Sequence, residues 1–205
     1  MSLVPSVGDP APDADLLGPA GEAVRLSSLW REGPAVLVFL RYFGCPFCQA
    51  QVVALRRDEE RFRAAGARIG LVGHGHAEDA RAFVQDKRLP FPLLLDPDRV
   101  AYRAYGLVQG RAVQVLGPQV FLPWLKAEIS PETRQRGLKG GSFFQMPGTF
   151  VIDRGGVVRL KEGLVRLAHR SRHVADTPSN EVILRLVSAL ASEPLGSGPA
   201  PRSDR

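Results

Sequence analysis

The sequence predicts an α/β fold built on a central sheet, and three observations carry that expectation. AVLVFLRYF (residues 35–43) and ARIGLVG (67–73) are nearly unbroken apolar runs rich in β-branched residues, the pattern of strands covered on both faces. Each is followed by an amphipathic stretch of helical period, and a third short run, PLLLD (92–96), comes next. Strand, helix, strand, helix, strand is the order from which parallel sheets are built. With 205 residues, 44% of them hydrophobic and 23% charged, the chain suffices for one domain with a proper core and barely for two.

In ADLLGPAGEAVRLSSLW, from Ala14, two short apolar stretches flank the turn-forming GPAG, which predicts a β-hairpin. Ser27 or Ser28 then caps a short helical turn. AVLVFLRYF is the central strand, and Gly44 ends it. Pro46 fits the first position of a helix, where its missing N–H costs nothing. Cys48, Val52, Leu55 and Phe62 make one apolar stripe, and Arg56, Arg57, Glu60 and Arg63 face the other way. Gly66 caps this helix. After the second strand, AEDARAFVQDKRL is a second helix, PLLLD a third strand, and DRVAYRAYGL a short helix ended by Gly106.

Residues 107–146 interrupt this rhythm with VFLPWLK, then the polar ISPETRQRGLKGG, then SFFQ. Loops beyond roughly 15 residues are uncommon in compact domains, so this is a functional insertion or a lid. GTFVIDRGGVVRLKEG reads as a hairpin turning at Asp153-Arg154-Gly155-Gly156. A last helix from about Ser179 carries Val182, Ile183, Leu186, Val187 and Leu190 on its apolar face. One domain over residues 1–192 and a flexible tail over 193–205 are expected. There is no internal repeat.

Composition narrows the function. The formal charge is +6, but the arginines are scattered among acidic residues and do not alternate with aromatics, so a nucleic-acid platform is not expected. No run approaches the roughly 18 apolar residues of a membrane span. MSLVPSVGDPAPDADLL has no basic leader region, which points to a cytoplasmic protein whose thiols are kept reduced.

The two cysteines of the chain both lie in RYFGCPFCQAQ, residues 41–51. Cys45 falls at the carboxyl end of a central strand, where α/β sheets gather their functional groups. It also opens a helix, whose unpaired N–H groups and partial positive charge favour a thiolate. In such a C-x-x-C the thiol pKa can fall from about 8.5 to 7 or below. Cys48 lies one turn deeper on the apolar stripe and should be the less exposed of the two. That is the arrangement of an attacking thiol and a resolving thiol. Two alternatives stand beside it. Half a zinc site could recruit His74 and His76, although H-x-H is tighter than the usual H-x₃₋₅-H and there is no second C-x-x-C. Or two buried thiols are neighbours by chance.

VGDPAPDADL, the hairpin ending in LSSLW, the strand leading into the cysteines, LPFPLLLDPDRVAYRAYGL and PGTFVIDRGGVV together resemble the alkyl hydroperoxide reductase/thiol-specific antioxidant group of peroxiredoxins. The C-x-x-C, the insertion and the HRSRHVADTPSNEVILRLV ending resemble its peroxiredoxin-like 2 subgroup more closely. The resemblance spans about residues 5–190. It implies a thioredoxin-like fold: a central mixed sheet flanked by helices, with an N-terminal hairpin and an insertion before a C-terminal hairpin. It also implies Cys45 as peroxidatic residue, no bound cofactor or metal, and an external thioredoxin-like or small-thiol reductant. The substrate so implied is a peroxide, a disulfide or a lipid-derived endoperoxide. The insertion could cover the site or form a homodimer contact.

The chain departs from the group at the peroxide-binding positions. The Pro and Thr/Ser of Pro-x-x-x-Thr/Ser-x-x-Cys are Val38 and Tyr42, and the peroxide-site arginine falls on Pro147. The Met146–Pro147 bond there resembles the cis-proline that thioredoxins set opposite their C-x-x-C, with backbone open to a substrate chain. Three further substrate-binding candidates follow: Arg41, which supplies charge unless strand alternation aims it away, Tyr42 and Pro147. His74, His76, His169 and His173 read as surface or loop residues. Phe121, Trp124, Phe143 and Phe144 read as a local core. An interaction module that keeps the fold without turnover is the other class of reading.

Overall fold

The structure, a computed structural model, describes residues 4–110, 142–154, 165–173 and 176–192. Strands β1 (Asp15–Leu17) and β2 (Ala23–Arg25) form the expected hairpin, closed by the Gly18 N–H on the Glu22 carbonyl. A 3-10 turn (Leu26–Trp30) follows. Its free N–H at Ser27 is taken by Asp13 Oδ1 at 2.8 Å rather than by a serine hydroxyl, because the hairpin returns the chain to a carboxylate, the stronger acceptor.

Strand β3 (Ala35–Phe39), helix α1 (Pro46–Arg57), a short helix α2 (Glu59–Ala64), β4 (Arg68–Gly73), α3 (Ala77–Lys87), β5 (Leu93–Leu95) and α4 (Val100–Ala104) come next. Strands β6 (Gly148–Ile152) and β7 (Val165–Arg170) and helix α5 (Asn180–Ser192) complete the described elements. The seven strands lie in the order β2-β1-β5-β4-β3-β6-β7. Neighbours β3, β4 and β5 are parallel, and β1, β6 and β7 join antiparallel. This is the mixed sheet expected of a thioredoxin-like fold.

Strand β3 is buried throughout and feeds two cores. Val36 and Val38 face α1, α2, α3 and α5 through Val52, Leu55, Phe62, Phe83, Ile183 and Val187. Ala35, Leu37 and Phe39 face the 3-10 turn and α4 through Trp30, Leu26, Tyr102 and Tyr105. Period-2 alternation therefore divides the strand between the two layers. Among the described residues no helix is long and apolar enough to cross a membrane.

Three further expectations change. The helix opened by Pro46 is not continuous to Gly66: it breaks at Asp58, whose carboxylate is drawn off by Asn180 and Arg61 while its carbonyl starts α2. Gly66 does terminate the pair in the left-handed region at φ +73°. The partner of β6 is Val165–Arg170, with Phe150 opposite Ala168, later in sequence than the predicted second strand. The turn itself and residues 155–164 lie outside the described residues. On α5, Val182 is exposed and Leu184 takes its place beside Ile183, Val187 and Leu190 in the core. The tail and most of the insertion, Phe121 and Trp124 included, also lie outside. The two ends of the insertion are joined by a Gln109–Gln145 bridge and by the Gly110 N–H on the Phe144 carbonyl at 2.7 Å.

Candidate active site

Beyond Phe39 the chain leaves the sheet, and the loop Leu40–Gly44 carries it to α1. Each carbonyl from Leu40 to Phe43 is held by a partner outside the strand ladder. Tyr102 donates its hydroxyl to Leu40, His74 faces Arg41 through Nε2 at 2.8 Å, the Cys45 N–H donates to Tyr42 at 3.1 Å, and Gln49 Nε2 donates to Phe43 at 2.9 Å. The Phe43 ring packs on Phe83 and against the end of β4, where Gly73 has no side chain. A Cβ at Gly73 would stand 2.8 Å from that ring.

This loop sets the cysteines. Cys45 occupies the N-cap position of α1 and Pro46 the first helical position, as the sequence indicates. The two thiols are free, at 0% and 3% exposure. The expected difference in exposure is absent because Arg41 folds over Cys45. Arg41 is itself 3% exposed. Its Nη1 lies 3.9 Å from Cys45 Sγ, its Nε donates to the Phe143 carbonyl at 2.6 Å, and its backbone N–H donates to Cys48 Sγ at 3.4 Å. Strand alternation does not aim Arg41 away, since the residue lies past the last strand position.

Burial pushes the Cys45 thiol up. Against that act the Cys48 thiol donating to it, the Arg41 charge, and the N–H groups of Cys48 and Phe47 at the helix start. Together they bring it down to about 7. Cys48 moves the opposite way, well above the ordinary thiol, because it donates to Cys45 and is buried. Cys45 is therefore the thiol that ionises around neutral pH, while Cys48 stays protonated beside it.

Tyr42 is half-buried at the mouth, with its ring 5.9 Å from that of Phe143 and 5.0 Å from the Arg41 guanidinium. The Arg41 guanidinium lies 4.2 Å from the Phe143 ring centre, and Phe144 meets that ring edge-on with centroids 5.6 Å apart. At 43% exposure Phe143 lines the rim rather than a core. Pro147 is buried at the start of β6. The bond before it is trans, and the backbone on either side is already used: the Met146 N–H by Val108 and the Pro147 carbonyl by Ser171. The resemblance to an open cis-proline platform does not hold, because the chain's own segments occupy that edge.

His74, read from sequence as a surface or loop residue and as a possible metal partner of the cysteines, lies in the loop after β4 and touches the site through the Arg41 carbonyl. His76 is exposed before α3, and His169 pairs with Asp176 on the far side of β7. Among the described residues no three metal-ligating side chains gather. The nearness of His74 to the cysteines was legible in the sequence, since it follows directly on a strand parallel to β3; its bond to the Arg41 carbonyl was not.

Residues 7–161 match the AhpC/TSA family. The prostamide/prostaglandin F synthase of Danio rerio is 28% identical over 192 residues, 90% of this chain and 89% of that protein. Peroxiredoxin-like 2C of Homo sapiens is 25% identical over 84% of this chain and 76% of its own length. Among solved structures, peroxidoxin BcpB from Mycobacterium tuberculosis superposes with a TM-score of 0.65 at 22% identity, covering 91% of this chain and 98% of that one.

Proposed function

This chain belongs to the AhpC/TSA family of thiol-dependent oxidoreductases, and from that premise we propose that it is a dithiol peroxidase in which Cys45 attacks and Cys48 resolves. One observation supports this reading above the others. Cys45 is sealed beneath Arg41, and Arg41 Nη2 is a buried donor without a hydrogen-bond partner among the described residues. A peroxide is small enough to enter such a site, and its oxygen would satisfy that donor. A protein disulfide would require the pair to be uncovered first.

In this mechanism the Cys45 thiolate attacks one peroxide oxygen, the O–O bond breaks, and the departing alkoxide takes a proton to leave as alcohol or water. Cys45 becomes a sulfenic acid. Arg41 stabilises the charge that moves onto the departing oxygen. The Cys48 sulfur then displaces the sulfenic oxygen as water and closes the Cys45–Cys48 disulfide. Two thiol equivalents from a thioredoxin-like or small-thiol donor restore the dithiol. Tyr42 and Phe143 form the entrance, and Pro147 serves by fixing the start of β6 rather than by contacting substrate. A lipid-derived endoperoxide would open by the same attack once the pair was uncovered. One of its oxygens would stay on sulfur until Cys48 displaced it.

Cys48→Ser is the direct test. Treated with hydrogen peroxide or an organic hydroperoxide, it should gain one oxygen on Cys45, trapped by a sulfenic-acid reagent. Accumulation of a mixed disulfide with an oxidised dithiol, and no sulfenic acid with either peroxide, would replace the peroxidase reading with disulfide exchange. Inertness of the native dithiol to all three oxidants would leave an interaction module.

A further inference from the structure

The loop that carries Arg41 has lost the sheet, yet Arg41 must point in two directions at once. Its N–H reaches Cys48 and its guanidinium reaches Cys45. Both peptide planes flanking it are pinned from outside. The Leu40 carbonyl accepts from the Tyr102 hydroxyl, which also donates to the Val72 carbonyl at 2.9 Å. The Arg41 carbonyl meets His74 Nε2 at 2.8 Å. A carbonyl only accepts, so Nε2 carries the proton and His74 is the donor. The two clamps brace each other: the His74 ring stands edge-on to Tyr102, with centroids 5.1 Å apart and planes at 87°.

We propose that His74 is a positioning residue for the dithiol, fixing the backbone of Arg41 so that this one residue addresses both sulfurs. The assignment rests on the reading that Arg41 activates Cys45, and it extends that reading to a residue 33 positions away in sequence. Tyr102 fixes the peptide before Arg41 and His74 the peptide after it. With either bond absent, the peptide on that side loses its fixed carbonyl and is held less firmly, and rotation there swings the guanidinium away from Cys45. A residue used only for packing would need the ring, whereas a positioning residue needs the N–H at the Nε2 place.

The variants follow from that distinction. His74→Ala removes ring and donor, and His74→Gln keeps an N–H donor near the same place. The readout is the pH profile of Cys45 alkylation by iodoacetamide in the reduced full-length protein, alongside wild type and Arg41→Met. His74→Ala should move the midpoint upward and slow alkylation at pH 7 by about threefold, the effect of one net hydrogen bond on a thiol that titrates near 7, while His74→Gln recovers most of the rate. An unchanged profile in His74→Ala, with a shifted one in Arg41→Met, would overturn the inference while leaving the role of Arg41 intact. So would equal losses in His74→Ala and His74→Gln. An unchanged profile in Arg41→Met would instead remove the premise concerning Arg41.

Discussion

Arg41 holds its Nη1 3.9 Å from the sulfur of Cys45, with both residues buried. A charge brought this close to a thiol inside the protein is screened far less than one at the surface. The reactivity of Cys45 should therefore follow Arg41 more closely than it follows any exposed group.

Arg41→Met keeps the bulk and removes the charge. The pH profile of Cys45 reaction should move above its present midpoint of about 7. A shift of one unit lowers the thiolate fraction at pH 7 about fivefold. The deficit should close near pH 9.5, where both proteins are ionised. Stopped-flow alkylation from pH 5.5 to 9.5 reads this directly, and coincident curves would show that Arg41 is merely packed there.

The same shift makes the stability of the reduced protein depend on pH. The Cys45 thiol stands at about 7 when folded against an ordinary 9.0, so between those values the unfolded chain binds the extra proton. Stability should rise with pH across that window, be fully present above 9, and be lost as pH falls through 7. Cys48, raised well above 9.0, contributes in the opposite sense only above that value. Thermal midpoints at pH 6.5 and 8.5 should differ more in wild type than in Cys45→Ser. Equal differences in the two proteins would contradict the sign.

Tyr102→Phe removes one hydroxyl that serves two carbonyls, Leu40 and Val72. Burial pushes this phenol up, so it remains a donor throughout the usable pH range. Stability should fall by about 1–3 kcal/mol, the cost of stripping a donor from buried acceptors. Urea unfolding with an unaltered slope would measure it. No loss would mean that another donor replaces the hydroxyl.

Asp13→Ala should cost about 1 kcal/mol through the 3-10 turn, whose Ser27 N–H loses its acceptor. The pair with exposed Arg25 adds little. Arg25→Ala, which spares the turn, should unfold almost as wild type does. A cost equal to that of Asp13→Ala would shift the weight to the ion pair.

The unbroken apolar run through Val36, Leu37, Val38 and Phe39 made β3 and its two-sided burial legible in the sequence, and Pro46 marked where α1 begins. Together they placed Cys45 at a helix start before any coordinates. Arg41 was legible only as a possibility. Residues 40–44 obey neither strand nor helix period, so no periodic rule says where their side chains go. His74 was legible as a loop residue within reach of the cysteines but not as a partner of Arg41, because that bond spans 33 positions and depends on two strands ending level. The break at Asp58 had the same cause: its partner Asn180 is 122 positions away. The proline at 147 looked like an open platform because sequence does not show that Val108 and Ser171 already occupy that edge.

Gly73 gives the site an unusual kind of dependence, on an atom that is missing. The Phe43 ring lies where a side chain at position 73 would be, so the cysteine loop comes down as far as that gap allows. Among divergent members of the family, positions 43 and 73 should accordingly exchange volume: an aromatic at 43 with glycine at 73, a small residue at 43 where 73 has grown. For anyone redesigning the protein, Gly73 is then a spacer whose enlargement lifts the whole redox loop without altering any residue that takes part in the chemistry.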